Sequence, residues 1–406
     1  MAYEGVSGFV RSLNLEEKLS PRKNAEIVWF YVFFPCFIAY LMILTDFINS
    51  KPSIGSIEVL HPSFEKLIYP GKQLEIITGD LSWAEGPLWI QDDAASLSYL
   101  MFSDTVRNRI YKWEEGKGMF TVGKTIYVES SGCNGADPEY CASMYEPGSN
   151  GLLRKDSTSL DLLAAQHGSR ALTLIRENGT RAELVTHFNG SRLNSPNDMV
   201  ISPDGHLYFT DPKYGLFDKQ KQLLGGELAH SGVYMVRSEF LQMAVESGER
   251  VSTAMLMDGS LGWPNGLAFS PDFAKLYVSN SDLRHPVWKV YDVTDSGLLK
   301  NGRVFFDATA LYKAECPGFA ERPPSCGEIG APDGMKVDIH GNLFASGPGG
   351  VIVLSPEGAL IGRFRFDRPV SNVAFGGDGR LYFTASDIIA RVWVKTKANR
   401  IISSKL

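Results

Sequence analysis

The sequence predicts an all-β fold, a six-bladed β-propeller preceded by a single N-terminal transmembrane helix. Three observations predict it. A polar residue leading an apolar strand recurs six times, an aromatic strand follows several of these starts after a turn, and one long uncharged apolar run is confined to the first fifty residues.

The repeat is plainest in four segments: Glu85-Gly-Pro-Leu-Trp-Ile, Asn197-Asp-Met-Val-Ile, Asn265-Gly-Leu-Ala-Phe and Asp333-Gly-Met-Lys-Val. Pro196, Pro264 and Pro332 directly precede the last three. Gly205 and Gly341 mark turns eight residues after Asn197 and Asp333, and the strands LYFTD (207–211), LYVSN (276–280) and LFASG (343–347) follow. Weaker copies start at Asn150 and at Asn372, the latter leading to Gly379 and LYFTA. Units of this spacing read as four-stranded blades, each start being the innermost strand. The sixth unit is short, so Gln73–Thr78 (QLEIIT) is predicted to complete its sheet and tie the ends of the ring together. A β-sandwich is the alternative architecture, but it does not require one polar residue to lead one strand per unit. Residues 236–250 are the best helix candidate, read as an inserted element.

Residues 27–45 carry no charge, and as a helix they span roughly 28 Å, one hydrocarbon core. The run is long for a signal peptide and lacks an Ala-x-Ala-like site behind it. The expected organisation is a cytosolic tail (1–26), a membrane anchor (27–48), a linker broken by prolines (49–73) and the propeller (74–406). Arg11, Lys18, Arg22 and Lys23 precede the span and Lys51 follows it, which places the N-terminus in the cytosol and the propeller in a lumen or outside the cell. Four cysteines beyond the span form two close pairs in Gly/Pro-rich loops. In an oxidising compartment Cys133–Cys141 and Cys316–Cys326 are natural staples. Asn178-Gly-Thr and Asn189-Gly-Ser are glycosylation sequons. A net charge of −6 without a long basic run argues against a nucleic-acid partner.

Asn and Asp before strands are ordinary turn chemistry when met singly. On a propeller, equivalent starts converge on the axis, so Glu85, Asn197, Asn265 and Asp333 point into one cavity. Two carboxylates and two amides are hard oxygen donors suited to calcium, with magnesium, manganese or zinc as alternatives. Zinc prefers His or Cys, which these positions lack. Asn150 and Asn372, at the remaining starts, are expected to line the channel.

The stretches WAEGPLW (83–89), QHGSR (166–170), LNSPNDMVISPDGHLYFTDPKYG (193–215), PNGLAFSPD (264–272), APDGMKVDIHGNLFASGPGGV (331–351) and NVAFGGDGRLYFT (372–384) resemble the gluconolactonase / senescence marker protein (regucalcin) family, including its luciferin-regenerating-enzyme-like branch. The resemblance implies a six-bladed propeller with a central divalent cation held by Glu85, Asn197, Asn265 and Asp333. It also implies hydrolysis of lactones, with aryl esters and organophosphates as substrates of related propellers. Sugar-lactone-hydrolysing members similar to regucalcin carry an Arg two residues before the Asn of the PND motif. Here that residue is Ser195, so gluconolactone itself is in doubt.

The catalytic candidates are Asp333, as ligand and base, and His167, as the rival base. Candidate substrate contacts are Ser195, Asp198, Asp211 and Tyr214, with Asp198 also placed to orient a ligand. The insertion around Cys133–Cys141 is expected over the active-site face. A membrane-anchored binding or scaffold protein with a structural calcium is the non-enzymatic alternative. An intact Glu85 argues against a strictosidine-synthase-like propeller.

Overall fold

A computed structural model describes residues 54–399, apart from 93–96, 117–122, 136, 157–158, 252 and 322–324. The expected tail and anchor, residues 1–48, lie outside the described residues. Among the described residues no helix is long and apolar enough to cross a membrane.

Among the described residues six antiparallel sheets of four or five strands succeed one another around the ring. Blade 1 runs from Ala84–Asp92 through Leu97–Asp104 and Arg109–Trp113 to Lys124–Glu129, and blade 2 begins at Ser149–Arg154. Blades 3 to 6 begin at Met199–Ile201, Pro264–Phe269, Met335–Val337 and Asn372–Phe375. The first strands of neighbouring blades touch one another around the ring, so all six expected starts are innermost strands. Strands between them and the rim are buried on both faces, as in Leu207–Asp211, Gly232–Val236 and Gly350–Leu354. Each blade is sandwiched between two others, which is why these segments read as unbroken apolar runs instead of alternating ones. Gly205, Gly341 and Gly379 hold φ of 82°, 85° and 84° in the turns after the inner strands of blades 3, 5 and 6, a conformation that favours glycine. The expected helix is Ser238–Ser247.

The stretch 54–73, expected to be part of a linker, is instead packed on the propeller. Ser56–Val59 pairs with the outer strand of blade 5 in the register Ser56↔Arg365 to Val59↔Gly362 and gives that blade a fifth strand. The prolines do not break this element because they stand outside it: Pro62 opens a short helix, Pro62–Glu65, whose N-cap His61 accepts from the Ser63 amide. Phe64 of that helix is fully buried. It lies directly on Gly362, where a Cβ would come within 2.1 Å of the Phe64 ring.

Closure of the ring follows the expectation. Glu75–Thr78 pairs with Ile388–Trp393, so blade 6 takes one strand from the beginning of the propeller and three from its end. Arg391 is central to this joint. Its guanidinium lies 3.3 Å from Glu75 of the closing strand and 2.6 Å from Glu115 of blade 1. Nearer the axis, Ser371 Oγ donates to the Ala84 carbonyl at 2.6 Å.

The hydrogen bond from Arg391, with help from Arg380, holds the Glu115 carboxyl well below its ordinary value near 4.5, down to about 2. A carboxyl depressed by folding contributes stability that is present above its ordinary value and lost as pH falls toward its folded one. We expect Arg391→Met to cost about 1–2 kcal/mol at neutral pH, the lower part of the range for charge-assisted bonds because Glu115 is half exposed. Thermal melts from pH 7 downward check this: the gap between wild type and variant should narrow below about pH 4.5.

Candidate active site

Antiparallel pairing places the start of each inner strand beside the end of the second strand, as Glu85↔Ser103 and Pro264↔Asn280 show. The residues of one face of the ring therefore come from these starts and from the loops beside them. On that face a cavity of about 170 Å³ is floored by Glu85, Asn150, Asn197, Asn265 and Asp333. The four expected donors are thus brought together, and Asn150 joins them.

Their backbones are fixed by bonds between blades. Ser103 Oγ donates to the Asn150 carbonyl at 2.8 Å, Thr210 Oγ1 to that of Asn265 at 2.7 Å, and Ser279 Oγ to that of Asp333 at 2.9 Å. The amides of Gly151 and Gly334 donate to the carbonyls of Asn197 and Ser371, each at 2.7 Å. In blades 1, 3 and 4 the donor is thus a hydroxyl of the second strand and the acceptor is the floor residue of the next blade. The small hydroxyl residue in LYFTD and LYVSN is the sequence signal for this device.

The floor is strongly acidic. Burial, reinforced by the charges of Asp198 and Glu146, pushes Glu85 up to about 8, against the opposing amide of Gly86 and the Asn372 side chain. Asp333 is raised well above the carboxylate range by burial and then by Glu85. Asp198 lies beneath the floor, raised by burial while the charge of Lys336 opposes it. Its Oδ1 accepts from the Met199 amide, and it does not line the cavity. Asn372 is also below the lining, its Oδ1 accepting from the Val373 amide.

Three side-chain oxygens of the floor, Oδ1 of Asn150, of Asn197 and of Asp333, are buried without any protein hydrogen-bond partner. Such groups are costly unless something else satisfies them. Among the described residues no cluster of three or more His, Cys, Asp or Glu has the arrangement of a metal site. This floor escapes that pattern because part of its donor set is amide oxygen. An acidic pocket with orphaned oxygens fits a hard cation, which Glu85, Asn197, Asn265 and Asp333 would hold.

Of the other expected residues, only Tyr214 lines the cavity. Its ring packs on Trp263 with centroids 5.0 Å apart. Burial pushes its phenol up, while hydrogen bonding to Ser281 and Asn265 acts the other way. Ser195, Asp211 and His167 are buried in the wall behind. Ser195 Oγ donates to the Pro212 carbonyl at 2.6 Å and accepts from the Gly215 amide at 3.0 Å, so it shapes the turn that presents Tyr214. Asp211 accepts from the amides of Asn194 and Ser195, both at 2.8 Å, and burial pushes its carboxyl up to about 7. The same brace recurs in blade 1, where Asp104 accepts from the amides of Ser82 and Trp83, and in blade 4, where Asn280 accepts from Trp263. Asp211 is therefore the turn-fixing residue at the end of a second strand, not a substrate contact.

His167 stands one residue removed from the cavity. Its Nδ1 is 3.3 Å from Oε2 of Glu146, and neither ring nitrogen has a well-directed hydrogen bond. Glu146 does line the cavity, and sequence reasoning missed it because it belongs to no repeat. The insertion delivers it. Cys133 and Cys141 are disulfide-bonded, Asp137 caps the helix Pro138–Ser143, and the Tyr145 amide donates to Phe217 at 2.8 Å beside the Tyr214 turn. The second disulfide, Cys316–Cys326, precedes Gly327 and Ala331, which also reach the cavity.

Residues 83–387 match the SMP-30/Gluconolactonase/LRE-like region family. The chain belongs to that family. Within it, a gluconolactonase of Zymomonas mobilis is 33% identical over 348 residues, covering 85% of this chain and 87% of that one. A gluconolactonase structure from Xanthomonas campestris superposes with a TM-score of 0.64 at 26% identity, covering 85% of this chain and 98% of that one. Regucalcin of Agrobacterium tumefaciens shares the fold, with a TM-score of 0.55 at 16% identity over 86% of this chain and 97% of that one.

Thr210→Val removes the donor to the Asn265 carbonyl while keeping the side chain's shape. We expect it to lower stability by about 1–3 kcal/mol, the cost of an unsatisfied buried acceptor, in denaturant melts. Thr173→Val, a buried hydroxyl bonded to Gln166 away from the floor, is the matched control for any accompanying loss at the site.

Proposed function

We propose that this protein is a divalent-cation-dependent hydrolase of lactones, with calcium as the ion its donor set favours. The observation that carries the reading is the convergence of two carboxylates and two amides on one acidic cavity with orphaned buried oxygens. Family membership and the gluconolactonase of Zymomonas mobilis support the reaction class.

A cation held by the four donors would polarise a carbonyl oxygen and favour deprotonation of water. The chain's own residues do the rest. Asp333 Oδ1 has no protein donor and is free to take a proton from the attacking water. The water oxygen bonds to the acyl carbon, the ring carbon–oxygen bond breaks, and the ring oxygen takes a proton to give the hydroxy acid. Tyr214 and Glu146 flank the cavity. His167, behind Glu146, acts as a positioning residue for that carboxyl and not as the base.

We further propose that the propeller is anchored through residues 27–48 and lies on the lumenal or extracellular side. Two disulfides, exposed sequon residues Asn178 and Asn189, and the basic residues before the apolar run support this.

Hydrolysis of δ-valerolactone should be lost on chelation and restored by calcium, and Asp333→Asn should lower kcat by at least about a hundredfold in a folded protein. No metal-dependent turnover of lactones, aryl esters or phosphotriesters by folded wild type would sink the reading. His167→Gln should lower kcat with little change in KM, because Glu146 loses the neighbour that positions it.

The raised carboxyl of Glu85 gives a second test. Holding the proton on this carboxyl weighs against the fold increasingly from about pH 4.5, where the unfolded chain begins to ionise it, to about 8, so the cation-free protein should lose stability as pH rises through that window. Calcium needs the ionised form, so its gain in melting temperature should be larger at pH 8 than at pH 5. Glu85→Gln should remove most of that difference.

A further inference from the structure

The residues around the mouth of the cavity divide by blade. Glu146 leads into blade 2, and Tyr214 and Ser281 follow the second strands of blades 3 and 4. Ala331 leads into blade 5, Pro369 and Val370 into blade 6, and Trp83 into blade 1. Because blade 6 closes on blade 1, these last four form one continuous apolar crescent opposite the polar one.

On the polar half the serine hydroxyls are already committed, which leaves the Glu146 carboxyl to receive a ligand's hydroxyl. Ser281 Oγ donates to the Pro332 carbonyl at 2.5 Å and accepts from Asn265 Nδ2 at 3.1 Å. The hydroxyl of Ser195 is likewise committed to Pro212 and Gly215. No described residue lining the cavity is an arginine or lysine. A polyhydroxylated ring would find this carboxyl and no cationic fork for its several hydroxyls, and the others would exchange bonds to water for unmatched burial.

The apolar half is firmly held. Trp83 is fixed by its amide to Asp104 Oδ1 at 3.2 Å, and Val370 is 1% exposed. Across the mouth, Tyr214 is backed by Trp263, which stacks on Phe217.

We propose that this site selects lactones bearing an alkyl or aryl substituent over sugar lactones. The ring carbonyl faces the acidic floor and the substituent lies on the crescent of Trp83, Val370, Pro369 and Ala331. This rests on the lactonase reading and names the substrate class for the same site.

The test compares δ-valerolactone, δ-decalactone and δ-gluconolactone on the full chain with calcium. Wild type should show kcat/KM for δ-decalactone at least about tenfold above that for δ-gluconolactone. Trp83→Ala should shrink the ratio of δ-decalactone to δ-valerolactone by about tenfold, mainly through KM, and Trp83→Leu should recover most of it. If δ-gluconolactone is turned over as well as δ-decalactone, or if Trp83→Ala lowers all three alike in a folded protein, the inference is overturned while the hydrolase reading stands. If folded wild type hydrolyses none of the three, both fall together.

Discussion

The bonds between blades at the inner strands are the constraint on which the rest of the molecule depends. A propeller blade is a small sheet that cannot bury both faces alone, and stacking around an axis solves that problem. Stacking by apolar contact alone does not define how far one blade slides on the next. The hydroxyls of Ser103, Thr210 and Ser279 do, because each reaches one particular carbonyl on the neighbouring blade. Those carbonyls belong to Asn150, Asn265 and Asp333, so the register of the ring and the placement of the floor are one and the same requirement. A change in blade packing cannot be made without moving the polar floor.

The floor concentrates charge where the fold could least tolerate it. Asp198 raises the proton affinity of Glu85 and of Asp333, Glu85 raises that of Asp333, and Lys336 is the cation among the charges acting on Asp198. A site that served only to hold the blades together would not gather carboxylates and leave amide oxygens unpaired. Such a gathering of buried carboxyls is destabilising in itself and would be relieved by a bound positive charge, as the proposed reaction requires. The part of the wall beside Tyr214 is satisfied by comparison: Asp211 and Ser195 spend nearly all their bonding on the turn that carries it.

What could be read from the sequence was whatever the repeat enforced. All six strand starts, the closing strand at Glu75–Thr78 and the four floor donors follow from one rule, that equivalent positions on a ring meet at its axis. Residues outside the repeat were illegible for the same reason. Glu146 reaches the cavity on a disulfide-stapled insertion of irregular length, and the place two residues before a floor donor, held by Trp83, Trp263 and Ala331 in blades 1, 4 and 5, has no fixed residue type to mark it. Ser195 and Asp211 lie inside the most recognisable motif of the chain, yet they serve the backbone. A motif marks where geometry is demanding and does not say whether a side chain meets ligand or amide. The stretch from Ile54 to Gln73 misled through its prolines, which border the fifth strand of blade 5 and do not interrupt it.

That N-terminal segment has a consequence for biosynthesis. Ser56–Val59 and Glu75–Thr78 leave the ribosome before any blade, yet their partners lie in the last two, with Glu75 and Arg391 separated by 316 residues. Both strands must wait, edges unpaired, until nearly the whole chain has been made. Contacts of such sequence separation are slow to form, and waiting edges are open to wrong partners. The nascent chain is therefore most exposed to misassembly at its beginning, and release of the last blade is the event that ends the exposure.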